Sequence, residues 1–79
     1  MKDLPQKIRR LRELQNLSQE YLADRLGISR RTYGKIEAGK TRITTNRLAH
    51  IATIFNCPVE AMILYPAEEI YMQFIYKNP

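Results

Sequence analysis

Residues 17–39, LSQEYLADRLGISRRTYGKIEAG, hold the signals that decide the fold. Ser18 is a strong N-cap, because its side-chain oxygen can accept from an amide that opens a helix. Leu17 before it can pack on Leu22, the spacing of a hydrophobic staple. Leu22, Ala23 and Leu26 then fall on one face, and Gly27 supplies the left-handed residue that ends a helix. Two residues later the pattern repeats. Ser29 caps a second helix, Ile28 and Tyr33 take the staple positions, Tyr33 and Ile36 turn inward, and Gly39 stops it.

Two capped helices with so short a link at Gly27 cross at a large angle, which is helix-turn-helix geometry. The plainer reading, a helical hairpin in a small bundle, accounts for the caps but not for the charge. The exposed face of the second helix, 29–38, carries Arg30, Arg31, Gly34 and Lys35. Arginines at its first two positions oppose the helix dipole, whose N-terminal end favours anions. A broken local rule of this kind marks a functional position.

The flanking segments extend the helical pattern. Asp3 and Gln6 have capping-box spacing, and Pro5 suits the first turn of a helix from about Leu4 to Gln15. Ile8 and Leu11 form its inner face, with Leu14 and Leu17 extending the apolar contact. Lys7, Arg9 and Arg10 are expected outside, as a solvated face adding to a general positive field. Asn16 can end this helix in a left-handed turn. After Gly39, KTRIT is a polar connection with Lys40 and Arg42. Thr44 caps a fourth helix between the staple residues Ile43 and Leu48, and Leu48, Ile51, Ala52 and Phe55 make one apolar stripe. His50 and Thr53 lie on its outer face, and Asn56 ends it. Cys57 reads as buried core rather than a reactive thiol. Pro58 opens a short fifth helix with Val59, Met62 and Ile63 facing inward.

Length and composition set the frame. The chain of 79 residues makes one small domain with a modest core. Its single cysteine excludes a disulfide scaffold within the chain and fits a reducing compartment. No apolar run approaches the roughly 20 residues that span a membrane. The start of the chain lacks the apolar segment of a signal peptide, so the expected location is the cytoplasm. Net charge is +5, distributed unevenly. Residues 1–47 carry +7, and residues 48–79 carry −2 from Lys77 against Glu60, Glu68 and Glu69. The asymmetry gives the chain a side facing a polyanion and an opposite side with another task.

The segment from Ile8 to Ile63 resembles the phage repressor and Cro type of helix-turn-helix domain, the xenobiotic-response-element family. The resemblance is carried by Ile8, Leu11, Arg12, the runs LSQEYLA, LGIS and KIEAGK, and the final LAHIA…PVEAMI. It implies an all-α fold: a compact five-helix bundle over residues 1–64 whose third helix enters the major groove of double-stranded DNA. Gln19 would then hydrogen-bond a phosphate, and Arg30, Arg31, Gly34 and Lys35 would stand at the base-contacting positions. Thr32, Lys40 and Arg42 would touch the DNA backbone. Arg12 and Glu37 match the family's buried ion pair. Two departures stand out. Ala38 occupies a place where the family often has a phosphate-binding asparagine. Gly34 lowers helix propensity by about 1 kcal/mol relative to alanine, and its small size would permit close approach to DNA. Arginine's planar fork matches guanine O6 and N7, so a guanine in the half-site is expected, read by Arg30 or Arg31.

Residues 65–79 lie beyond that domain. Pro66, Ala67, Glu68 and Glu69 look like a helix start with acids in the first turn. Ile70, Tyr71, Met72, Phe74, Ile75 and Tyr76 follow, apolar nearly all round. Three readings stand: a sixth helix folded back on the first and fifth, a homodimer interface, or strand pairing between two tails.

Three function classes follow. The leading one is a sequence-specific transcriptional regulator, most simply a repressor, working as a homodimer on an operator. The second is a protein-interaction module, such as an antitoxin whose tail holds a partner protein. The third, an enzyme, is rejected: one His, one Cys and no clustered carboxylates assemble no metal site and no nucleophile–base pair, and no cofactor is expected. RNA binding is disfavoured, because the basic helix lacks surface aromatics.

Overall fold

Side-chain caps open three of the helices in the computed structural model, which describes residues 3–76. The order is α1 (Leu4–Leu14), α2 (Gln19–Leu26), α3 (Arg30–Glu37), α4 (Thr45–Phe55), α5 (Val59–Leu64) and α6 (Ala67–Ile70). The backbone of α6 runs on into one wide helical turn over Tyr71–Ile75, where the Tyr76 amide donates to the Tyr71 carbonyl at 2.7 Å. There is no strand among the described residues, so the tail is helical. Lys77, the last basic residue, lies outside the described residues.

Ser18, Ser29 and Thr44 each accept from the amide three residues on, satisfying one of the open donors of α2, α3 and α4. Asn16 and Asn56 turn the chain with φ of 58° and 63°, and Gly27 does so between α2 and α3 with φ of 71°. Asp3 differs from its expected role. It makes no side-chain cap, and its carbonyl instead accepts from the Lys7 amide at 2.9 Å.

The core is one cluster fed by every helix. Ile8 and Leu11 of α1, Leu22 of α2, Tyr33 of α3, Ile51 and Phe55 of α4 and Met62 of α5 are fully buried. Ile63 is a correction: it is 47% exposed, and Ala61 takes the inward place beside Met62. Cys57 is half-buried against the cluster rather than inside it, and burial pushes its thiol up to about 11.

The tail completes the core instead of projecting from it. Ile70 is fully buried and Ala67 nearly so, while Tyr71, Phe74 and Ile75 pack partly against the cluster. Ile70 therefore cannot offer its side chain to a second chain in this conformation. Two polar contacts fasten the end of the chain to α1. Arg10 Nε donates to Glu68 Oε2 at 2.8 Å, and Lys7 Nζ donates to the Met62 carbonyl at 2.9 Å. Arg9 pairs with Glu13 at 3.2 Å. Arg9 and Arg10 are exposed as expected and Lys7 is half-buried, but all three are engaged by partners instead of adding freely to a positive field.

One buried carboxylate joins the first three helices. Arg12 Nε meets Glu37 Oε2 at 2.7 Å and its Nη2 meets Oε1 at 3.2 Å, a two-pronged pair, while its Nη1 donates to the Leu17 carbonyl at 2.8 Å. Gln19 Nε2 donates to Glu37 Oε1 at 3.0 Å, and the Tyr33 hydroxyl donates to Oε2. The Glu37 side chain is 3% exposed and that of Arg12 13%. Burial raises the Glu37 carboxyl, but the hydrogen bonds from Arg12, Tyr33 and Gln19 and the Arg12 charge outweigh it, so the net shift is downward. Burial and the bond to Glu37 push the Tyr33 hydroxyl far up, keeping it a neutral donor.

A carboxyl held below its ordinary value of 4.5 contributes stability that is present above that value and lost as pH falls through the folded one. Glu37→Gln should therefore lower stability at pH 7 by about 3 kcal/mol in urea titrations, and the gap to wild type should narrow towards pH 3. A gap independent of pH would contradict the charged carboxylate. Ile70→Ala should cost about 3 kcal/mol of unfolding free energy, whereas Met72→Ala on the exposed side should change it by less than about 0.5. Equal, small effects would mean that the tail is not part of the core.

Candidate nucleic-acid interface

The network around Glu37 fixes the inner face of α3, and its outer face is what remains for a ligand. Tyr33, Ile36 and Glu37 point inward; Arg30, Arg31, Thr32 and Lys35 are exposed. Ser29 both caps the helix and donates to Thr32 Oγ1 at 2.9 Å, so Thr32 is tied into the cap while remaining at the surface. Among the described residues, the ion pairs involve Arg9, Arg10 and Arg12, and none involves Arg30, Arg31 or Lys35. These three cations keep their full hydrogen-bonding capacity.

Beyond α3, the Lys40 amide donates to the Lys35 carbonyl at 2.9 Å across Gly39, whose φ is 72°. This closes the helix by a Schellman-type turn and sends the chain back across the start of α1. An open cleft there is lined by Leu4, Pro5, Gly39, Thr41, Arg42 and Ile43. Lys40 and Arg42 are exposed and unpaired within the described residues. Arg47 was passed over in the sequence. It is a half-buried cation in the first turn of α4, opposed to the dipole as Arg30 and Arg31 are, and that same signal could have found it.

The structure distributes the remaining candidates as follows. Gln19 opens α2 with one amide N–H on Glu37, leaving its second N–H and its carbonyl oxygen for another partner. Gly34 lies half-buried inside α3, and Ala38 is exposed at its C-terminal end. On α2, Arg25 donates to the Tyr21 hydroxyl at 3.1 Å and lies over its ring at 5.8 Å, so it is not a free cation. The surface of α5 and the tail differs in character. Ile63, Leu64, Tyr65, Met72 and Tyr76 are exposed apolar groups on α5 and the tail.

Among the described residues no group of three or more His, Cys, Asp or Glu could hold a metal ion. His50 is exposed on α4. No described helix is long and apolar enough to cross a membrane.

Comparison with known proteins bears on the same segment. A family model described as helix-turn-helix matches residues 8–62. An uncharacterized HTH-type transcriptional regulator of Methanocaldococcus jannaschii is 38% identical over 63 residues, covering 80% of this chain and 96% of that protein. Two from Archaeoglobus fulgidus are 32% and 31% identical over 65 residues, each alignment covering 82% of this chain and 92% and 93% of the relatives. No solved structure gives a significant match. With the family match spanning the capped helix pair and the buried Arg12–Glu37 pair, the chain belongs to the Cro/C1-type helix-turn-helix family of DNA-binding transcriptional regulators.

Proposed function

We propose that the chain is a sequence-specific regulator, acting as a repressor in the cytoplasm, that lays α3 in the major groove of a double-stranded operator. One observation carries the reading: α3 is locked to α1 and α2 on its inner face while its outer face offers exposed, unpaired cations at Arg30, Arg31 and Lys35. A rigid helix with an arginine fork at its N-terminal end suits bidentate recognition of guanine. In this reading Arg30, Arg31 and Lys35 contact bases, while Gln19, Thr32, Lys40 and Arg42 hold phosphates, with Arg47 as a further backbone contact.

The same proposal makes the protein a homodimer joined through its tail. The exposed side chains of Met72 (51%) and Tyr76 (65%), with Leu64 (70%) of α5, supply its apolar surface. Tyr71, Phe74 and Ile75 add their partly exposed edges, and Ile70 drops out because it is buried. Residues 65–76 thus serve both the core and the dimer. A protein partner on the same surface, as in an antitoxin, is the competing reading.

Selection of bound duplexes from a randomised pool should enrich an inverted repeat with a guanine in each half-site and centres about 34–36 Å apart. Retention without enrichment would mean backbone binding alone, and no retention would favour the protein partner. Substituting the true reader, Arg30→Ala or Arg31→Ala, should relax one base pair by about 1–3 kcal/mol. Lys40→Ala or Arg42→Ala should weaken all duplexes alike and reduce the salt slope by about 1. If both arginine variants lost affinity uniformly across sequences, neither would be a base reader.

A further inference from the structure

We propose that Gly34 determines specificity: its missing side chain admits the 5-methyl group of a thymine on the major-groove edge of the bound duplex. This rests on the assignment of α3 as the base-reading helix and adds to it. Glycine in a helix interior lowers stability, so its presence calls for a cause, such as a left-handed φ or a neighbour that leaves no room for Cβ. Neither cause applies inside this chain. Gly27 and Gly39 have positive φ, and Gly34 does not. A Cβ built on Gly34 meets nothing within 4 Å in the surrounding fold. The requirement therefore comes from outside the chain.

What Gly34 offers there is narrow. It stands four residues after Arg30 and three after Arg31, on the strip of α3 that carries those exposed cations. Its carbonyl already accepts from the Ala38 amide at 3.0 Å, and its own amide lies within the helical ladder. Outward it presents only carbon-bound hydrogens, with no donor or acceptor to read a polar edge. Among the groups on the major-groove edges of the four base pairs, the thymine C5-methyl is the one apolar group that projects from the edge, where cytosine has only a C5–H. The chemistry of the position selects that group, and a Cβ at residue 34 would compete for its place.

The test pairs Gly34→Ala with replacement of thymine by deoxyuracil, which removes that methyl, in the duplex that wild type selects. The variant should be more stable in urea, its folding constant raised about fivefold. Its affinity for the thymine duplex should fall about tenfold, with most of that loss disappearing on the deoxyuracil duplex. If wild type selects no duplex, the base-reading role of α3 fails and this inference with it. If wild type selects a duplex that Gly34→Ala binds equally well, only the role of Gly34 is overturned. An equal loss on both duplexes would overturn the thymine contact. Lower stability of the variant would show that the fold itself requires the glycine, which would overturn the assignment of Gly34 to the DNA.

Discussion

The Glu37 carboxylate is the constraint on which the arrangement depends. A buried charge is costly unless it is paired and hydrogen-bonded, and this one is met by three side chains from three helices. Arg12 brings α1, Gln19 the start of α2 and Tyr33 α3 itself, so the group cannot be satisfied unless all three helices sit in one relation. No buried side-chain nitrogen or oxygen among the described residues lacks a partner. A fully satisfied polar cluster of this kind selects one geometry over compact alternatives more than it adds net stability. Here the geometry selected is the angle at which α3 is presented.

Pairing also decides where positive charge is available. The +7 of residues 1–47 looks like a broad field, but α1 neutralises much of its share through Glu13, Glu37 and Glu68. Among the described residues, Arg30, Arg31, Lys35, Lys40 and Arg42 stay outside any ion pair on α3 and the connection after it, as does Arg47 in the first turn of α4. The acidic second half contributes directly to this sorting, because Glu68 of α6 takes up Arg10. The bond from Arg10 in turn holds the Glu68 carboxyl below its ordinary value. Folding thus turns a diffuse basic sequence into a localised basic surface.

Much of this was legible in the sequence, for a physical reason. Caps, left-handed turns and staples act within about five residues, so Ser18, Ser29, Thr44, Asn16, Gly27 and Asn56 announce the helix boundaries by themselves. The Leu48-to-Phe55 stripe announces its inner face in the same way. Contacts between distant residues carry no such signature. Nothing local distinguishes Arg10, which meets Glu68 across 58 residues, or Lys7, which reaches the Met62 carbonyl across 55, from solvated cations. The tail defeated the pattern for another reason. A segment apolar nearly all round has no polar face to mark its outside, so its core-facing residue, Ile70, could not be told from its exposed ones. In α5 the small Ala61 took the place that size alone would give to Ile63. For the candidate interface, the exposure of Arg30, Arg31 and Lys35 follows from periodicity, while the engagement of Gln19 by Glu37 requires the fold.

The most direct test of α3 as the reading surface is an amide chemical-shift map of the protein titrated with its selected duplex. The largest changes should fall on residues 29–42 and the first turn of α2, with α5 and α6 moving little. Changes concentrated on α5 and α6, with α3 unmoved, would contradict that role.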